Sequence, residues 1–260
     1  MNDQVFDLTV FQLLLGYVFV LIVLFILRKR NIRREKILIL ATFRMTIQLV
    51  LMGYLLLLII DNPNPFLTFA IVFVMLSFAV YTVFSKFKNE LRPSLKRVII
   101  LALPSGALIS LVYFLFLVIR IEPYYNPQYF IPITGMIVGN SMTGISLGIH
   151  SMINRFTAQR KAVEEALHLG ATPKDASKKI VDEAFDSAIM PTLNNMLGMG
   201  VIFLPGMMTG QILSGVVPTT AIMYQIGIML GILGGVSLST YFLLIFGYRT
   251  FFNRDKQLIH

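Results

Sequence analysis

At 260 residues, 56% hydrophobic and only 13% charged, the chain is far from a soluble domain, in which about 25% of residues are charged. Cysteine is absent, which excludes disulfides, Cys-ligated zinc and iron–sulfur clusters. The net charge of +9 raises nucleic acid as a partner, but the position of the basic residues argues against it: 20 of the 22 fall in alternate loops and the tail, as a topology signal does.

Runs near 20 apolar residues recur along the whole length and predict an all-α, polytopic membrane helix bundle. Seven spans are expected, at roughly 5–27, 37–60, 66–85, 98–119, 130–149, 191–213 and 219–247. Met1-Asn2-Asp3-Gln4 lacks a positive n-region, so the first span is expected to be retained rather than cleaved. Loops 28–36, 86–97 and 154–187 and the tail after Gly247 carry the Lys/Arg excess, whereas 61–65, 120–129 and 214–218 hold only Arg120. That bias places the N-terminus outside and the C-terminus in the cytoplasm of a multi-pass plasma-membrane protein. The short outer loops leave no room for a receptor domain. The whole chain, 1–260, reads as one transmembrane domain, with a polar segment at 150–190 between spans five and six.

Arg44 is the one charged residue well inside a span, eight residues from Lys36 and so about 12 Å along the helix. It either snorkels to the surface or bonds a neighbouring helix, or it lines the inner mouth of a pathway. Gln48 lies one turn further on the same face. In the fifth span Gly135/Gly139 and Gly144/Gly148 are small-x3-small pairs on nearly opposite faces, so this helix is expected to be packed on both sides. Asn140 between them serves either an interhelical hydrogen bond or a substrate contact. The sixth span breaks at Pro205-Gly206, because proline removes a donor and glycine permits a bend. Broken helices expose carbonyls to transport cavities, and Asn194, Asn195, Met207, Met208 and Gln211 flank this one. Met207 and Met208 are the candidate soft-metal ligands, against the ordinary role of methionine as core filler.

All thirteen acidic residues lie in loops or at span ends, and His150, His168 and His260 at the cytoplasmic edge. Ion-coupled carriers need a buried carboxylate or His relay, so energy is expected from a partner. A membrane hydrolase is disfavoured by the same lack of a catalytic set, and the chain is read as non-enzymatic.

The polar stretch is expected to form two short helices. Gly170 stops the first, Thr172 caps the second, Pro173 suits its first turn and Asp175 favours its dipole. The second, about 173–189, places Ala176, Ile180 and Ala184 on one face.

This segment resembles the cytoplasmic coupling loop of ABC-transporter permeases. Glu164, Glu165 and Ala166 precede Gly170, Ala171, Thr172 and Pro173 at the family's spacing, and Ile180 follows with nine residues between it and the glycine. Two positions depart from that pattern: Glu165 stands for an alanine, and Asp182-Glu183 for Leu-Pro. IPITGMIVGNSM (131–142), LGATPKDAS (169–177), LPGMMTGQILSGVVPTTAIMYQI (204–226) and Arg44-x3-Gln48-Leu49, in that company, resemble the FetB-like family of iron-export permeases, related to plant permeases linked to aluminium tolerance. The resemblance implies a homodimer in the lipid bilayer, paired with two copies of a cytosolic ATPase that binds ATP and Mg. This chain has no G-x-x-x-x-G-K-[ST] loop and is expected to bind no cofactor itself. The implied cargo is iron or a related metal species. An organic or nucleotide-sugar cargo, a non-transporting signalling subunit and an ion channel stand as alternatives.

Overall fold

The computed structural model describes residues 9–88, 90–253 and 255–259. Asp3, Asp7, Arg254 and His260 lie outside the described residues. Among the described residues the regular structure is helical, and the only β-type pairings are isolated bridges, Met199 with Phe203 and Phe252 with Leu258. The helices are α1 (Val10–Gly16), α2 (Val18–Lys29), α3 (Glu35–Asp61), α4 (Pro65–Lys86), α5 (Pro93–Val112), α6 (Pro127–Ala158), α7 (Arg160–His168), α8 (Pro173–Gly198), α9 (Gly206–Leu213) and α10 (Pro218–Gly247). A π-helical turn, Tyr113–Ile119, extends α5, and a 3-10 turn, Tyr248–Phe251, ends α10. Pro65, Pro93, Pro127, Pro173 and Pro218 each stand in the first turn, where a missing N–H breaks no helical bond. Asn64, Asn126 and Thr172 cap three of these starts.

Six segments among the described residues are long and apolar enough to cross a bilayer: Val10–Lys29, Glu35–Asp61, Pro65–Lys86, Pro93–Ile119, Pro127–Ala158 and Pro218–Phe251. The protein is a multi-pass helical membrane protein. The span expected at 191–213 is not among them, and the reason is local. α8 runs unbroken from Pro173 to Gly198, so the polar helix expected at 173–189 and the first part of that span form one rod. Its charged first half removes it from the hydropathy count. Pro191 lies inside the rod and costs it only the bond to the Ser187 carbonyl. The chain leaves the helix at 199–205, where Gly200 takes φ +83 and Phe203 packs on Gly198. The eight-residue α9 follows.

The chain divides into two compact units. The first contains α1 to α3. There the Tyr17 hydroxyl, at the junction of α1 and α2, bonds the Thr46 hydroxyl, and Thr46 also donates to the Thr42 carbonyl. These bonds keep polar atoms satisfied on largely apolar helices.

The second unit holds the core. α5 packs on α10, and α6 packs on α10, α8, α4 and α5. Small residues bring the backbones together. A Cβ on Gly106 would overlap the Ser239 backbone, and one on Gly235 would lie 2.7 Å from Ile137 Cγ2. Ser110 Oγ donates to the Gly231 carbonyl at 2.6 Å, and Ser239 Oγ to the Leu103 carbonyl at 3.2 Å. Such bonds need close helices, and small side chains permit them. In α6, Gly144 and Gly148 meet Val236, Thr240 and Leu243 of α10 and Ala188 of α8, while Gly135 meets Met75 of α4. α6 is therefore packed on both sides, although a Cβ at Gly139 would touch nothing.

Candidate functional site

The polar segment folds as a rigid elbow between α6 and α8. At its apex the Gly170 amide donates to the Leu167 carbonyl and the Ala171 amide to the Ala166 carbonyl, both at 3.0 Å, with Gly170 at φ +91. This is a Schellman closure, and it requires a residue that tolerates the left-handed region. Two residues on, Thr172 restarts the helix: its hydroxyl accepts from the Asp175 amide at 3.2 Å and donates to the Asp175 carboxylate at 2.6 Å. Leu169, at the apex, is 89% exposed.

The elbow is braced from below. Val163 is buried under α7, and Arg160 pairs with Glu164 at 2.8 Å. Arg155 of α6 pairs with Glu183 of α8, and the Ser151 and Ser187 hydroxyls meet at 3.2 Å one turn nearer the core. Ile180 and Ala184 are buried on the inner face of α8, and Ala176 is half-buried. Asp182-Glu183, which stand where the coupling-loop pattern has Leu-Pro, thus let the helix continue. Glu183 makes the α6 bridge, and Asp182 is exposed.

Glu164, Gly170, Ala171 and Thr172 line one open cavity of about 610 Å³, closed on its other side by Asp255, Lys256, Gln257 and Leu258 of the C-terminal tail. Glu165 is exposed beside it, Ala166 supplies the Schellman acceptor and Pro173 starts α8. The tail's part in this surface had no signal in local sequence. It is held by Phe251 stacked on Phe156 at 4.3 Å and by the Phe252 to Leu258 bridge.

The membrane candidates are more dispersed. Arg44 and Gln48 are exposed and line a shallow cavity of about 440 Å³ along α3 with Ile37, Leu40 and Met45. The Asn140 amide donates to the Met136 carbonyl of its own helix at 2.8 Å. Asn194 and Asn195 are exposed on the last turns of α8. After the break, Pro205 is half-buried, Gly206 is exposed and Gln211 is half-buried. Met208 is buried, whereas Met207 packs on the core edge, adjacent helical positions pointing about 100° apart. Among the described residues no group of three His, Asp or Glu side chains is placed to hold a metal ion.

One residue next to the break was missed. Gln225 of α10 is 5% exposed; its amide donates to Met199 Sδ at 3.9 Å, and its Oε1 has no partner among the described residues. The signal was available, as a lone amide in an apolar run. The glycine stripe Gly227, Gly231, Gly235 of α10 was likewise legible at four-residue spacing.

Residues 10–252 match the model of UPF0014, described as an uncharacterised protein family. The chain is 33% identical to the "UPF0014 membrane protein YjkA" of Bacillus subtilis, over 95% of this chain and 97% of that one. It is 31% identical to the "Probable iron export permease protein FetB" of Escherichia coli, over 95% and 94%. It is 32% identical to "Protein ALUMINUM SENSITIVE 3" of Arabidopsis thaliana, over 93% and 86%. No solved structure matches.

Proposed function

The chain belongs to the UPF0014 family of membrane proteins, and from that premise we propose that it is the membrane-spanning permease subunit of an ABC exporter for iron or a related metal species. It works as a homodimer in the plasma membrane. Two copies of a separate cytosolic ATPase, which binds ATP and Mg, drive it from the cytoplasmic side. The chain contributes no catalytic residue.

The observation that carries this reading is the joining of the elbow to α8. A Schellman turn and a threonine cap fix the elbow, and α8 continues from it as one 26-residue helix, about 39 Å long. Force applied to Glu164–Pro173 is thereby delivered to the non-helical stretch at 199–205 without an intervening hinge. ATPase closure would shift the bundle between two openings, with α8 as the coupling rod. An ion channel has no need of such a rod.

A second reading concerns the cargo. Bare iron favours carboxylate or imidazole ligands, and none are clustered among the described residues. An anionic chelate instead suits the exposed Arg44 and Gln48. The test is ATP-driven transport in vesicles containing both subunits, with a metal panel, free and chelated. The permease reading is overturned by failure of this chain to associate with any ABC ATPase. Metal-stimulated ATPase activity lost in Met207→Leu/Met208→Leu but unaffected by Arg44→Ala counts against the chelate.

A further inference from the structure

We infer that the groove between α5 and α10 is a binding site for one anionic phospholipid, its phosphate held by Arg97. The groove has a volume of about 430 Å³ and is lined by Arg97, Leu101, Ser105 and Ile109 of α5 together with Phe242 and Phe246 of α10. Arg97, Leu101, Ser105 and Ile109 follow one another at four-residue spacing, so they form one stripe down α5. Arg97 heads that stripe; from Val98 onward the helix is uncharged. The stripe is about 18 Å long, close to the half-thickness of a ~30 Å hydrocarbon core. A cation at the boundary with one leaflet's depth of apolar wall beneath it has the shape and polarity of a headgroup above an acyl chain.

Three features separate this groove from an ordinary lipid-facing surface. Its only other polar side chain, Ser105, is satisfied internally, donating to the Leu101 carbonyl at 2.6 Å. No acidic residue lines it, and Arg97 makes no ion pair among the described residues. The cavity on the other flank of α10 supplies the contrast. There Lys174 and Lys178 are matched by Asp175 and Asp182, so it has no net preference for an anion. Because lipid tails are already in an apolar medium, the groove wall contributes little selectivity. Selectivity falls to the headgroup: the guanidinium fork fits two phosphate oxygens of any phospholipid, and the choline cation of phosphatidylcholine, which phosphatidylglycerol lacks, offsets the attraction to Arg97.

The experiment is native mass spectrometry of the full chain, released from vesicles of equal phosphatidylglycerol and phosphatidylcholine. The wild type is expected to retain phosphatidylglycerol about five- to tenfold over phosphatidylcholine. Arg97→Gln should bring the ratio close to parity, and Lys174→Gln/Lys178→Gln should leave it as in the wild type. Parity in the wild type overturns the inference, as does a preference that survives Arg97→Gln. The chain has no cysteine, so Ser105→Cys supplies a single thiol. Disulfide linkage of two copies through it would show that a second copy fills the groove, and would also overturn the inference.

Discussion

Gly170→Ala tests the elbow directly. Gly170 sits at φ +91, where an L side chain costs about 1–2 kcal/mol. A Cβ there meets nothing within 4 Å, so no packing loss adds to the backbone strain. Alanine also stiffens the unfolded chain, which returns about 0.4–1 kcal/mol. The net is a loosening of the elbow by about 1 kcal/mol, or about fivefold in the population of the closed turn. Hydrogen exchange should report it first: the Gly170 and Ala171 amides, held by the Leu167 and Ala166 carbonyls, should exchange about fivefold faster, while core amides of α6 and α10 stay unchanged. Affinity for the proposed ATPase partner should fall by a similar factor. Gly170→Asn should be milder, because asparagine tolerates the left-handed region. Unchanged exchange at these two amides in Gly170→Ala would refute the claim that a Schellman closure holds the elbow. Faster exchange with unaltered ATPase affinity would leave the closure standing and refute its role in docking.

Gly106→Ala should be far more harmful than its size implies. Its methyl would overlap the Ser239 backbone, and carbon contacts need about 3.5 Å, so α5 and α10 must part by over 1 Å. Overpacking of this kind costs about 1–3 kcal/mol or more, visible as a fall in thermal midpoint in detergent, whereas Gly139→Ala, with open space around it, should be neutral. Thr172→Ala removes the cap of α8 and should cost about 1 kcal/mol, read as lost protection at the Asp175 amide. Glu183→Gln breaks the Arg155 bridge, but both side chains are about a third exposed, so the stability loss should stay within about 1 kcal/mol and shrink in high salt.

The class of this protein was legible in its sequence because membrane insertion is a local matter. Each span must satisfy its own backbone in lipid, so a run of apolar residues is sufficient evidence for a crossing helix, and the alternating Lys/Arg loops mark its ends. The elbow was legible for a similar reason: a left-handed glycine, a threonine cap and a first-turn proline act within a few residues of one another. That the stretch expected as a sixth span, 191–213, is divided between the end of α8, a non-helical turn and α9 was not legible. Pro191 carries the same missing donor as Pro205, yet the helix passes through the first and ends before the second. What differs is the surroundings: α8 is clamped to α6 through Arg155–Glu183, Ser151–Ser187 and the Ala188 contact with Gly144, so the helix around Pro191 is held by its neighbours. Beyond Gly198 the Gly200 turn and Phe203 packing replace that support. The membrane candidates fared similarly. Asn140 could be placed on a helix from sequence, but only packing decided that its amide turns back on Met136, and that Gln225 is the buried amide beside the break. Sequence by itself determined what is local: the six long apolar spans, the elbow, the charge asymmetry. Tertiary structure decided which prolines bend, which glycines are crowded and which amides are buried, because each depends on what a second helix, distant in the chain, brings against them.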